Sequence, residues 1–344
     1  MLQCNDLTQY EKKLEKANKV ISEIANDYKN ITPIILTDAV IFEDFFAKET
    51  RHTYGDSWVY LTQGTYGIGP KKLGYKYFDG NNIAALTVHP KIEDQNILMM
   101  YWARPMGREI LSIIVNLSAE IKKRYGICTY VKKLFPDQYQ YLLQHGFKSA
   151  KEFPWHSSAH SEDDTYPEII YDREMTLQII RDATRSSSLG RVKRGVAKIK
   201  REHKIEISDH NFKENAWRVV NDYFLEREKL ADKVNVSAPA DYYNMIFYDH
   251  DSSVDKKILF VDGEPMGLFI VERNKKFDVA NMYCCLALRE HHKYLMDILK
   301  LSIFERQPSK YINSGGSEDP GMHEFKLKYK PIENIMYITT NYEL

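Results

Sequence analysis

One pattern recurs in both halves of this chain and restricts its fold more than any other. Asp79-Gly80 is followed by NNIAALTV, an apolar run ending at Val88. At an offset of 183, Asp262-Gly263 is followed by EPMGLFIV, ending at Val271. In the next apolar run Met100-Tyr101 is matched by Met282-Tyr283, and beyond a helical stretch Tyr130 is matched by Tyr311. Landmarks that keep a nearly constant offset across strands and a helix predict two tandem copies of one unit.

The local patterns agree. Leu14, Ala17, Val20, Ile21, Ile24 and Ala25 recur at helical spacing within Leu7–Tyr28. Trp58–Leu61, Tyr75–Phe78, Ile83–Val88 and Ile97–Trp102 read as strands, Glu109–Tyr125 as a helix stopped by Gly126, and Ile127–Val131 as a strand. In the second half, Asn215–Leu230 reads as a helix. Ile258–Val261 and Met266–Val271 form a hairpin around Asp262-Gly263, and Val279–Leu286, Lys293–Arg306 and Tyr311–Asn313 follow as strand, helix and strand. The expected class is α/β (α+β), each unit a mixed, mostly antiparallel sheet flanked by helices. The expected divisions are an N-terminal helix over 1–30, a first lobe over 31–170 and a second over 171–344.

Length supports this division, since 344 residues exceed one ordinary domain. Lysine plus arginine and aspartate plus glutamate both number 48, so any polyanion signal must be local. Cys4, Cys128, Cys284 and Cys285 contain no C-x-x-C pair, and they read as free thiols of a reducing cytoplasm. The opening MLQCNDLTQYEKKLEK lacks an apolar signal region, and Ile110–Val115 is too short to span a bilayer.

The local signal is Arg181–Lys204. It carries nine basic residues against Asp182 and Glu202. Arg191, Arg194, Lys198 and Arg201 fall on one helix face, with Lys193 beside them. That face would suit tRNA phosphates, a lipid headgroup surface in peripheral contact, or another phosphorylated donor. Aromatic residues are not interleaved, so base stacking is not indicated. A second signal is Tyr311–Pro331. A strand ends at Asn313, and Gly315 and Gly316 let backbone approach a ligand. Ser317, Glu318 and Asp319 precede a helix whose first N–H groups can hold an anion, and Lys326 and Lys328 follow. Gly64–Gly69 lies between strands and reads as a hairpin, and His156–Asp164 reads as an exposed loop, so no metal site is assigned.

The segment from Asn313 through Gly315, Met322, Phe325-Lys326 and Tyr329 to Pro331 resembles the C-terminal domain of phosphatidylglycerol lysyltransferases. The tandem arrangement is similar to Fem-type aminoacyl transferases, and each half resembles a GNAT acyltransferase unit. His145-Gly146-Phe147 after a helical run matches an ending common in that fold. The resemblance implies two tandem GNAT-like units and transfer of an aminoacyl group from aminoacyl-tRNA to a small-molecule or peptide amine or hydroxyl. It implies that Lys326 stabilises phosphate or an oxyanion and that Glu318 or Asp319 handles the proton of the nucleophile. No cofactor is then required. Acyl-CoA is the weaker donor, because Arg104-Pro-Met-Gly107-Arg108 resembles a pyrophosphate loop but continues into Glu109. The alternatives are an acyl-CoA-dependent N-acyltransferase and a non-catalytic module binding a phosphorylated ligand or protein.

Overall fold

The structure, a computed structural model, describes residues 4–62, 74–90, 97–149, 168–230, 238–247, 253–288, 292–317, 320–335 and 338–342. It divides into two units, residues 1–167 with 336–344, and residues 168–335.

In the first unit, α1 (Cys4–Asp27) turns one apolar stripe inward, and Ala17, Ile21 and Ile24 are completely buried. The chain continues through β1 (Ile31–Pro33), α2 (Ala39–Lys48), α3 (Trp58–Thr62), β2 (Tyr75–Phe78), β3 (Ile83–Pro90) and β4 (Leu98–Met106). It then forms α4 (Ile110–Tyr125), β5 (Cys128–Leu134), α5 (Pro136–Gln144) and β6 (Phe147–Ser149). Leu86 and Trp102 on the sheet pack with Ile114 and Ile121 of α4 and Ile21 of α1 in one core. Residues Trp58–Leu61, expected as a strand, are helical. Local caps outweigh their β-forming composition. Ser57 accepts the N–H of Tyr60 on its hydroxyl at 3.2 Å and that of Leu61 on its carbonyl at 3.1 Å.

The second unit opens with β7 (Glu168–Asp172), α6 (Arg173–Asp182), α7 (Ser188–Glu202) and β8 (Ile205–Ser208). There follow α8 (Phe212–Leu230), α9 (Ala238–Phe247), β9 (Val254–Val261), β10 (Glu264–Asn274) and β11 (Val279–Ala287). It closes with α10 (Leu295–Arg306), β12 (Tyr311–Asn313), α11 (Pro320–Leu327) and β13 (Glu333–Ile335). Asp262 and Gly263 both have positive φ, 52° and 91°, as a two-residue hairpin with right-handed strand twist requires. Leu259, Phe269 and Val271 on the sheet pack against Leu299, Ile303 and Phe304 of α10.

The two seven-stranded sheets have matching orders, β1-β2-β3-β4-β5-β14-β6 and β8-β9-β10-β11-β12-β7-β13, where β14 is Ile338–Tyr342. In each, only the fourth and fifth strands pair in parallel, joined by a helical crossover. The repeat is exact in the hairpins, where Val88 faces Met100 and Val271 faces Met282. It slips at the parallel pair. Met99 faces Cys128 but its equivalent, Asn281, faces Asn313, so Tyr130 and Tyr311 do not occupy matching positions.

The sixth position of each sheet is filled by exchange. β7 follows β6 in the chain but enters the second sheet, and β14 returns to the first. Each exchanged strand sits between two others whose backbone groups it satisfies. The expected lobe spans of 31–170 and 171–344 therefore shift. Residues 168–170 lie in the second sheet, and the last strand lies in the first. Because residues 168–335 contain every strand of their sheet, that fragment is expected to unfold cooperatively in denaturant. Residues 1–167 lack the strand between β5 and β6 and should not, unless residues 336–344 are fused back. Cooperative unfolding of 1–167 alone would contradict the exchange.

Glycine in the middle of a helix ordinarily costs about 1 kcal/mol relative to alanine. Gly190 in α7 reverses that sign, because a Cβ there would lie 1.7 Å from the backbone oxygen of Thr184. Gly190→Ala is expected to lose about 1–3 kcal/mol of stability through overpacking, measured by chemical denaturation of the full chain.

Candidate active site around Lys326

Strand β12 ends at Asn313, whose side chain closes the following turn. Its Oδ1 accepts the N–H of Gly315 at 2.9 Å, and Gly315 adopts a left-handed φ of 65°. Its Nδ2 donates to Glu168 on β7 at 2.8 Å. The backbone is tied to the same strand, since Ser314 N–H donates to Ile169 O at 2.9 Å and Ile169 N–H donates to Gly315 O at 3.2 Å. From α11, Lys326 sends its ammonium to the carbonyls of Gly315, at 3.3 Å, and Gly316. The carbonyl of Lys326 in turn accepts the Tyr171 hydroxyl of β7 at 2.8 Å. The result is a closed circuit from β7 through Asn313, the glycine turn and Lys326 back to β7.

Beneath the circuit lies a second lysine. Lys300 of α10 is 2% exposed and donates to the Tyr171 hydroxyl at 2.8 Å. The rings of Tyr171, Tyr329 and Phe325 surround its Nζ at 4.6, 4.8 and 5.3 Å. Aromatic faces favour a cation, but burial, reinforced by the Lys326 charge, holds the Lys300 amine well below the ordinary lysine range. Burial also pushes the Tyr171 hydroxyl well above its ordinary range and the Cys285 thiol up to about 12, so neither is ionised at neutral pH. His323 on α11 is lowered by burial and by Lys326. Asp297 is 4% exposed and receives Lys328 at 2.5 Å together with the Tyr329 hydroxyl.

The structure thus joins Asn313, Gly315, Gly316 and Lys326. Asn313 is committed to Glu168 and the turn, so it shapes the site rather than facing a ligand. Lys328, expected as a ligand-binding residue, is instead committed to Asp297. Ser317 is fully buried, and its hydroxyl has no hydrogen-bond partner among the described residues. Glu318 and Asp319 lie outside the described residues, as do Gly64–Gly69 and His156–Asp164. Glu168, Tyr171, Asp297 and Lys300 were not singled out from the sequence. Helix α10 carried a signal. Its sequence LMDILKLSIFER is apolar around most of its circumference, which marks a buried helix. An aspartate and a lysine three positions apart in such a helix must be satisfied inside the core.

Arg191, Lys193, Arg194, Lys198 and Arg201 are all exposed on α7, opposite buried Val192, Val196 and Ile199. Lys193 donates to Arg181 O at 2.7 Å and Arg194 to Arg185 O at 2.6 Å, so two of these heads are held in place without losing charge. Lys198 and Arg201 approach Glu202 at 3.9 and 3.5 Å.

The pyrophosphate-loop resemblance at Arg104–Arg108 fails structurally. Arg104 lies within β4, completely buried, paired with Asp56 and with Glu49 at 2.9 Å. The loop that follows is filled by its neighbours. A Cβ on Gly107 would meet Asn81 O at 2.5 Å, and Asn82 Oδ1 accepts the Glu109 N–H at 2.9 Å as α4 begins. An anion at this helix start would have to displace Asn82.

No protein-family model and no curated protein matches the chain. Solved structures do. A conserved protein of unknown function from Bacteroides thetaiotaomicron superposes with a TM-score of 0.59 at 12% identity, covering 91% of this chain and 99% of that one. L-PGS from Bacillus licheniformis superposes with a TM-score of 0.54 at 14% identity, covering 89% and 92%. A tandem GNAT protein from the clavulanic acid biosynthesis pathway gives 0.50 at 8%, covering 90% and 97%. At such identities the likeness is one of fold, and that fold is the tandem GNAT-like architecture. Among the described residues, no helix is long and apolar enough to cross a membrane.

The Lys300 environment has a thermodynamic consequence. An unfolded chain protonates Lys300 below about pH 10.4, whereas the folded protein resists protonation down to a lower pH. Stability therefore falls as pH drops through that window. Lys300→Met should be more stable than the parent at neutral pH, and the gap should narrow toward pH 10. Denaturant titrations across pH 7–10 measure it; a pH-independent difference would contradict the downward shift of Lys300.

Proposed function

We propose that the protein is an acyltransferase that moves an aminoacyl group from aminoacyl-tRNA to the amine or hydroxyl of a small molecule or peptide. The observation that carries this reading is the buried Lys326 ammonium fixed against the Gly315-Gly316 turn. The acceptor nitrogen or oxygen attacks the ester carbonyl, and the carbonyl oxygen becomes an oxyanion. A fixed cation in a water-poor site stabilises that charge without reorganising. The intermediate collapses by expelling the ribose oxygen, which takes up the proton lost by the nucleophile. Glu318 and Asp319, in the same turn by sequence, are assigned to that relay. The exposed cations Arg191, Lys193, Arg194, Lys198 and Arg201 of α7 are assigned to RNA phosphates. An aminoacyl-tRNA donor implies a cytoplasmic reaction. The acyl-CoA alternative is weakened because Arg104 is spent inside the core.

The test is deacylation of purified aminoacyl-tRNA pools in the presence of amine acceptors, with transfer followed by mass spectrometry. Lys326→Ala should lower kcat/KM by about 10²–10³-fold while melting as a folded protein. Arg191→Glu with Arg194→Glu should raise KM for tRNA and flatten its salt dependence with little change in kcat. Full transfer by the Lys326→Ala variant would overturn the reading.

A further inference from the structure

We propose that a groove walled by the C-terminal turn of α7, strand β8 and helix α10 binds a soluble phosphate monoester carried on a short aliphatic chain. The groove has a volume of about 420 Å³, within the range that holds small ligands. It is distinct from the Lys326 circuit and does not rest on the acyl-transfer reading.

One wall of the groove carries two cations, Lys200 and Lys204, with His203 between them. These residues belong to the basic segment, but their state differs from that of their neighbours. Lys193 and Arg194 sit on backbone carbonyls, and Lys198 and Arg201 approach Glu202. Lys200 and Lys204 form no ion pair among the described residues, so their charges are unspent at the groove. The wall is also held in place. Lys204 N–H donates to Asp262 Oδ1 at 2.8 Å, and Asp262 N–H returns a bond to Lys204 O at 2.9 Å. His203 Nδ1 lies 2.7 Å from Asp262 Oδ2, which orients the ring.

The remaining surface selects the rest of the ligand. Ile207 and buried Ile298 line the groove, and no Phe, Tyr or Trp does. An alkyl group can be desolvated there, whereas a nucleobase would find only the His203 ring, which is already held by Asp262 and packed on His292. Glu305 is the one acid in the lining. Two lysines against one carboxylate leave an excess positive charge suited to a compact dianion. Basic residues at the end of α7 also complement the helix dipole. That role requires only closeness to the last carbonyls and gives Glu305 no part. A ligand site gives Glu305 an opposing sign.

The test titrates the full chain with n-butyl phosphate and with inorganic phosphate, by calorimetry at moderate salt. Saturable binding is expected, several-fold tighter for butyl phosphate because its chain is buried. Lys200→Glu with Lys204→Glu should weaken it about tenfold or more. Glu305→Gln should tighten it several-fold, a gain that misfolding cannot mimic. Arg191→Glu with Arg194→Glu should leave it unchanged. The proposal is overturned if butyl phosphate does not saturate, or if Glu305→Gln has no effect. It is equally overturned if the Arg191/Arg194 pair weakens binding as much as the Lys200/Lys204 pair. Binding only to phosphatidylcholine vesicles containing phosphatidate, without binding to butyl phosphate, would also overturn it and assign a lipid surface.

Discussion

The hydroxyl of Tyr171 takes a hydrogen bond from Lys300 and gives one to the carbonyl of Lys326. Three residues earlier on the same strand, Glu168 holds Asn313, which holds the amide of Gly315. Both ends of the glycine turn therefore hang from β7, a strand that follows the first repeat in the chain but lies in the second sheet. Removing either anchor would leave a buried donor or acceptor unsatisfied, which costs more than the bond itself contributes. The placement of the Lys326 ammonium thus depends on a strand far from it in sequence.

The strand exchange explains an asymmetry between the repeats. In the second sheet the exchanged strand brings Glu168 and Tyr171 beneath the turn that follows β12. In the first unit the loop between β4 and α4 is filled by its own residues. Arg104 is buried against Asp56 and Glu49, and Asn82 caps the start of α4. Two units of one fold have therefore spent their polar groups differently. The first uses a buried arginine as an internal brace. The second keeps a lysine ammonium against a glycine turn and, below it, a buried lysine amine held well below its ordinary range.

Much of this was legible from periodicity. The Asp-Gly turns, the Met-Tyr strands and the helix ended by Gly126 all mark elements that the structure contains, because turn chemistry and apolar spacing act locally. The β12 to α11 segment was legible as a motif, and the structure joins Asn313, Gly315, Gly316 and Lys326 within it. The exchange of β7 and β14 was not legible, since either strand could pair with either sheet on its local pattern alone. The four-residue slip that separates Tyr130 from Tyr311 was hidden for a similar reason, as two tyrosines in short strands carry no register. Trp58–Leu61 misled because their aromatic and β-branched composition suggests a strand, whereas the Ser57 cap starts a helix. The commitment of Lys328 to Asp297 required a contact between α10 and the end of α11, which no spacing rule reveals.

The account stands on the claim that β7 holds the glycine turn. Amide hydrogen exchange at Gly315 in a Glu168→Gln variant tests it most directly, with Ile270 in the sheet centre as reference. The account predicts that Gly315 exchanges about tenfold faster or more, through local opening, while Ile270 keeps its protection. Unchanged exchange at Gly315 in a folded variant would contradict it.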